Sequence, residues 1–599
     1  MLALAWEYRV GCIAVLILHW LLVSLMLAAL TLTGLGLAVI RHGVAPDSPA
    51  PVWPFGLQPP SHLSPMALIG IIGGLVLLVA VGHAAMRYTA QVFQAALVQR
   101  IIITLRARVY DKLQRLSFRF FDDNESGSII NRVTTDVQSV RLFVDGVIIE
   151  SLAIILSLAF YLFYMLNLNV KLTLACLATA PIMWVLVALF SRIVRPAYRK
   201  NRTLMDRLVL TLQENLLGIR VVKGFANEPQ QKEKFEFDNA AVRKQKQWIF
   251  WRITSFVPVV QFLSMVNILV LLGYGGYLVI HDGNFPVDQG LVVFAGLLQA
   301  FSAQIRGVAT VADSIQRSLT GAQRVFEVMD SRVEIQSSPD AKKLGRANGA
   351  IRFDQASFGY DPDRPVLHEI DLEIKPGQCV AILGRTGSGK STLLSMIPRF
   401  YDPQKGRVQI DDIDATQLDV DDLRRQIGIV FQNSFLFSNT VAANIAFGTP
   451  DASMEQIQHA AELASAHHFI SELPHGYDTI IGENGVDLSG GQRQRLSIAR
   501  AVIADPPILL LDDATAAVDP TTEHEIMEAI DSATQGRTTL IVAHRLSTLK
   551  RADLAIVLEH GRIIQRGTHE QLMDKAGHYQ DAAAVQIADD QSKRMLGLA

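Results

Sequence analysis

The stretch with the clearest chemistry is "GRTGSGKS", Gly384 to Ser391. It follows an apolar pentad, "CVAIL" (Cys379–Leu383), and precedes "TLLSMIPRF", whose apolar spacing predicts a helix. A glycine-rich loop in this strand–loop–helix setting lets backbone N–H groups approach phosphate oxygens, and the helix start adds partial positive charge. In such a loop Gly384, Arg385, Thr386, Gly387, Ser388 and Gly389 wrap the phosphates of a nucleotide. Lys390 reaches the β- and γ-phosphates, the Ser391 hydroxyl can ligate Mg²⁺, and Thr392 continues the helix. A loop of this kind needs a second acid for the metal, at the end of a neighbouring parallel strand. "ILLLDDATAAVD" (Ile508–Asp519) offers Asp512 for that role, since four apolar residues run straight into it. A second acid, Asp513, follows at once.

These groups need a scaffold, and the composition says that the scaffold is only part of the chain. At 599 residues the chain exceeds one ordinary domain. Half of it is hydrophobic and only 19% is charged, which points to membrane. A net charge of −2 gives no global basic field for nucleic acid. The three cysteines, Cys12, Cys176 and Cys379, are too few and scattered for a disulfide framework or a zinc site, and read as reduced packing residues.

The apolar runs are confined to the first half. About 20 apolar residues span the hydrocarbon core as a helix. Six segments qualify: about Val10–Ile40, Met66–Tyr88, Gly146–Leu166, Val170–Phe190, Ser255–Ile280 and Leu291–Ile305. The first is too long and too weakly flanked by charge to be a signal peptide. The last is short and carries Gln299 and Gln304. Lysine and arginine are dense in Arg87–Arg141 and Arg192–Arg252 and lacking in Asn167–Asn169 and His281–Pro286. The dense connections are therefore expected in the cytoplasm, with both termini. "ALVQRIIITLRARVYDKLQRLSFRFF" (Ala96–Phe121) and "LVLTLQENLLGIRVVKGF" (Leu208–Phe225) have helical apolar spacing, so the membrane helices are expected to continue into the cytoplasm, with a turn at "DDNESG" (Asp122–Gly127). Such tips are either solvated hairpins or docking elements for the soluble half. Asn267, Gln261, Gln299 and Gln304 either line a cavity or join helices, and Asp145 is either functional or interfacial. The expected organisation is a membrane domain over 1–332, a polar, turn-rich linker over 333–349 and an α/β nucleotide-binding domain over 350–599.

Between the loop and Asp512 lies "LSGGQRQRLSIARA" (Leu488–Ala501). Here the chain resembles the ATP-binding cassette (ABC) transporters, and with six spans before the cassette it resembles an exporter-type half-transporter along essentially its whole length. The resemblance implies an α-helical membrane domain of six transmembrane helices with long cytoplasmic extensions, joined to an α/β P-loop domain. It also implies ATP and Mg²⁺ as cofactors, a multi-pass place in the cell membrane and a dimeric working unit. Residue by residue, it makes Tyr360 ("SFGY") the adenine-stacking aromatic. Gln432 ("IGIVFQ") becomes a Mg²⁺ contact that senses the membrane domain, and His544 ("IVAHR") the switch that meets the γ-phosphate. Asp519 ("AAVD") falls in the loop that communicates across the dimer. "TIIGENG" (Thr479–Gly485) resembles the segment that touches the coupling turns. "FFDDNESGSIINRVTTDV" and "ENLLGIRVVKGFANE" resemble the two coupling regions. Leu488, Ser489, Gly490, Gly491 and Gln492 are the signature that closes over ATP held by the other subunit, and the two glycines open a backbone nest suited to phosphate.

Two positions depart from the family. Its metal-binding Asp is usually followed by a Glu that polarises the attacking water; here Asp513 stands there. Aspartate is shorter by one methylene, about 1.5 Å, and a misplacement near 1 Å can cost on the order of 10²-fold in rate. The two acids have similar pKa values, so what is lost is reach. Ala516 stands where the family usually has Ser. The expectation is a subunit that binds ATP well, hydrolyses it slowly at its own loop, and lends its signature to a different half-transporter. The cargo expected of weakly charged spans is hydrophobic or amphipathic. The alternatives are an ATP-gated channel or regulatory subunit, and an ATPase on a membrane anchor, for which six spans are excessive.

Overall fold

The computed structural model describes residues 6–45, 51, 53, 63–282, 287–361, 363–482, 485, 488–513, 520–543, 545–581 and 583–584. The chain divides into two compact units, one of Met1–Lys112 with Gly127–Asp330, the other of Leu113–Ser126 with Ser331–Ala599.

The first unit is helical. Among the described residues five helices are long and apolar enough to cross a membrane: Arg9–Val44, Pro65–Arg115, Ser126–Leu168, Val170–Leu217 and Glu228–His281. The sixth expected span is a shorter apolar helix, Gly290–Ile305. Polar side chains such as Gln299 and Gln304 interrupt its apolar run. It leads on through Val293–Asp330, and Phe294, Leu297 and Leu298 pack with Met165, Leu172 and Leu271 in one buried cluster. The helix Pro65–Arg115 has 51 residues. At about 1.5 Å per residue it is more than twice the roughly 30 Å of hydrocarbon, so much of it lies outside the bilayer. Only 6% of its most apolar window is buried, which leaves that surface to lipid or a partner.

Two polar groups singled out in the sequence are satisfied within this unit. Thr179 donates to Asn267 Oδ1 between the fourth and fifth long helices, both residues being buried, so Asn267 joins helices rather than lining a cavity. Gln94 Nε2 donates to Asp145 Oδ1 at 2.6 Å, and Asp145 lies in a π-helical segment, Val144–Ile149. The turn between the third and fourth helices is a single extended residue, Asn169, whose side chain accepts from the Leu172 N–H.

Among its described residues the second unit holds two sheets. An antiparallel sheet of order β2-β1-β4-β5 uses β1 (Ile351–Phe358), β2 (Leu367–Ile374), β4 (Lys405–Ile410) and β5 (Ile413–Asp414). A central sheet of order β10-β9-β3-β8-β7-β6 uses β3 (Cys379–Leu383), β6 (Ile427–Val430), β7 (Ile508–Leu511), β8 (Thr538–Val542), β9 (Leu554–Glu559) and β10 (Arg562–Gly567). It is parallel except at β9–β10.

The apolar run "ILLL" is explained by burial on both faces. Ile508 and Leu510 enter a core shared with β1, β2 and the helix Lys390–Met396. Leu509 and Leu511 enter a second core shared with the helix Gly490–Val502. The P-loop helix and the signature helix therefore pack on opposite faces of the central sheet.

The polar segment before β1 is tied down. The Asp411 carboxylate accepts from the N–H groups of Asn348, Gly349 and Ala350, and the Asp505 carboxylate holds Arg346 and Arg537. The turn Leu113–Ser126 also packs within this unit. Its short helix Phe118–Asp122 sets the Phe118 ring 4.3 Å from that of Phe400, and Arg119 pairs with Glu334 at 3.6 Å. This tip is a docked element. The cysteines are free thiols, and burial pushes Cys379 up to about 11, in line with a packing role.

Candidate nucleotide site

The site forms at the C-terminal ends of β3, β6 and β7. Gly384 leaves β3 under the backbone of β9, where a Cβ would stand 2.3 Å from the Leu558 carbonyl oxygen, so only glycine fits. Gly387 and Gly389 take φ of +81° and +101°, which turns the loop back over its own strand end. Arg385, Thr386 and Gly387 are exposed along the loop, while Ser388, Lys390 and Thr392 are buried. Lys390 Nζ donates to the carbonyls of Gly384 and Arg385 at 2.8 and 3.1 Å. Burial pushes its ammonium pKa down, and the nearby Asp512 and Asp513 pull it back up.

Asp512 is not on the strand next to the loop: β8 stands between β3 and β7. The helix Lys390–Met396 that follows the loop reaches the end of β7. Ser391 and Asp512 line the same small cleft, of about 20 Å³, beside Val430 and Phe431. Asp512 is held there by its own N–H, which donates to the Val430 carbonyl at 2.9 Å. A hydroxyl and a carboxylate facing one cleft are the oxygen donors that Mg²⁺ takes. Gln432, just past β6, donates to Asp513 Oδ2 at 3.4 Å, a contact that the sequence did not indicate. Asp513 has φ +51°, a left-handed conformation that aspartate tolerates better than most residues.

Tyr360 is 44% exposed, with its ring set edge-to-face on Phe358 and Tyr401 at 5.2 and 5.3 Å. Its hydroxyl bonds Thr392 at 3.2 Å. A supported ring with a large open area suits a stacked base. Tyr401 was not singled out in the sequence, where it is one aromatic in "RFYDP". The signature residues start the helix Gly490–Val502: Ser489 and Gln492 form a reciprocal capping box, Ser489 and Gly490 are exposed, and Leu488 and Gly491 are buried. His544, Asp519, Ala516 and, within Thr479–Gly485, Glu483 and Asn484 lie outside the described residues.

Two family models match the chain, ABC transporter over residues 367–516 and ABC transporter transmembrane region over residues 47–302. The chain belongs to the ABC transporter family. It is 39% identical to the Uncharacterized ABC transporter ATP-binding protein YknU of Bacillus subtilis (strain 168), over 82% of this chain and 83% of that protein. It is 37% identical to the ATP-dependent lipid A-core flippase of Syntrophus aciditrophicus (strain SB), over 84% of each. Among solved structures it resembles a bacterial Atm1-family ABC exporter with ATP bound, at TM-score 0.76 and 27% identity, over 97% of this chain and 98% of that one. The chain is thus an exporter-type, multi-pass membrane ABC transporter, an ATPase-coupled translocase whose α/β cassette binds ATP.

Proposed function

We propose that this ABC transporter is one half of a heterodimeric exporter that moves a hydrophobic or amphipathic cargo, with a slow ATP site of its own and a fast site shared with its partner. The observation that carries the reading is Asp513 at the end of β7, beside a complete phosphate loop and a complete signature. The loop and signature helices pack on opposite sheet faces, which favours a signature supplied by a second cassette. ATP bound at Gly384–Thr392 would stack its base on Tyr360. Lys390 would exchange the carbonyls of Gly384 and Arg385 for β- and γ-phosphate oxygens. Ser391 and Asp512, which line one cleft, would hold Mg²⁺ together with Gln432, and the ion would supply charge neutralisation at the phosphates. Asp513 would be too short to hold water in line with the γ-phosphate; the family resemblance gives His544 the γ-phosphate and Asp519 the dimer contact.

Six spans, with the cassette and both termini in the cytoplasm, fit the lysine and arginine distribution. The turn between the fourth and fifth long helices leaves Leu217, Val221 and Phe225 exposed at 90, 62 and 80%, a surface that we assign to the partner subunit. An amphipathic cargo is supported by the weakly charged spans and by the likeness to a lipid A-core flippase. Asp513 also keeps one second reading, an ATP-gated channel or regulatory subunit. Purification alone and with co-expressed candidate partners, followed by ATPase and proteoliposome transport, separates these readings. Heterodimer-dependent, cargo-stimulated ATPase supports the exporter, and full activity of the single chain contradicts it. Passive flux on ATP binding alone supports the channel.

A further inference from the structure

Between Tyr360 and the turn Leu113–Ser126 runs a short chain of contacts that the phosphate chemistry does not use. Tyr401 is buried, at 8% exposure. Its hydroxyl donates to Asp122 Oδ2, on the short helix Phe118–Asp122. Its ring lies 5.1 Å from Phe358 and edge-on to Tyr360 at 5.3 Å and 87°. Tyr360 in turn bonds Thr392, next to Ser391 on the P-loop helix. Phe118 packs on Phe400 and Tyr401, so the turn is seated by apolar contact, by the Arg119–Glu334 pair and by this hydroxyl–carboxylate bond.

We infer that Tyr401 is a positioning residue that links the seating of this turn to the fixing of the Tyr360 ring for adenine. The inference rests on Tyr360 being the adenine shelf. A flat base gains from stacking only if the ring beneath it is held, and Tyr401 holds that ring edge-on together with Phe358. Tyr401 has its own hydroxyl anchored on the turn, so a shift of the turn reaches Tyr360 through one side chain. By linkage, adenine bound on Tyr360 favours the seated turn as much as the seated turn favours adenine. The device reads the base, whereas Lys390 and the loop read the phosphates.

The test uses the full-length protein in detergent or nanodiscs, with a fluorescent ATP analogue and with inorganic tripolyphosphate as a base-free competitor. Tyr401→Phe keeps the ring and removes the hydroxyl; Asp122→Ala removes its acceptor. Each should weaken binding of the ATP analogue about 2- to 10-fold, the range of one net hydrogen bond, and leave the tripolyphosphate inhibition constant unchanged. The double variant should be no weaker than either single one. Asp122→Asn, whose amide oxygen still accepts from Tyr401, should restore wild-type affinity. Multiplicative losses in the double variant, equal weakening of tripolyphosphate, failure of Asp122→Asn to rescue, or single variants that bind ATP as wild type does would each overturn the inference. Should the wild-type chain not bind ATP at all, the proposed function fails first.

Discussion

Gln432 Nε2 donates to the Asp513 carboxylate at 3.4 Å, across the C-terminal ends of the adjacent parallel strands β6 and β7. At that length the bond is weak. It is nevertheless the contact that ties the residue after Asp512 to the strand end whose glutamine is expected to meet Mg²⁺.

The Gln432→Ala variant should weaken Mg²⁺-dependent ATP binding about 2- to 10-fold, the loss of one net hydrogen bond or ligand contact. Binding measured in EDTA should not change. Titration of a fluorescent ATP analogue with and without Mg²⁺ reads both, and equal loss in the two conditions would place Gln432 outside the metal's surroundings.

The phosphate loop and β7 were legible in the sequence because glycine spacing and an apolar run ending in an acid are local signals. The long extensions of the membrane helices were legible for the same reason: the apolar spacing of Ala96–Phe121 continues the period of the span before it. Three things were not. The insertion of β8 between β3 and β7 depends on sheet order, which no local pattern encodes. The Tyr401–Asp122 contact joins residues 279 apart, and although the turn at Asp122 was legible, no local pattern pairs it with Tyr401. The choice for Asn267 between cavity and helix contact was set by Thr179, 88 residues away. Each of these is a relation between distant segments that only the packed chain defines.

Substitution of Gly384 by alanine should destabilise the cassette by about 1–3 kcal/mol, because its Cβ would meet a backbone carbonyl that cannot swing aside. Gly448→Ala, with nothing within 4 Å of the added carbon, is the matched control and should be near neutral. Thermal unfolding without nucleotide measures both, and equal midpoints would contradict the close approach.

Asp505 gives the cassette a pH-dependent contribution. Hydrogen bonds from Arg346 and then Arg537 hold its carboxyl below the usual range. A lowered carboxylate stabilises the fold fully above its unfolded pKa of about 3.9 and loses that contribution as pH falls through the folded value. The pair with Arg346 is well exposed, so solvent screening keeps the effect to a few tenths up to about 1 kcal/mol. Asp505→Asn should therefore lower the thermal midpoint at pH 7, and the gap from wild type should close as the pH is brought below 4. A gap that stays constant with pH would mean that the charge of Asp505 does not matter.

The central claim is that the short acid at 513 makes this chain's own ATP site slow while leaving it able to bind. The direct measurement is single-turnover hydrolysis of ATP at this chain's loop in the full-length dimer, comparing wild type with Asp513→Glu, alongside ATP affinity. The account predicts a rate gain on the order of 10²-fold at unchanged affinity, as the longer acid regains about 1 Å of misplaced reach. A wild-type rate already equal to that of Asp513→Glu would contradict it.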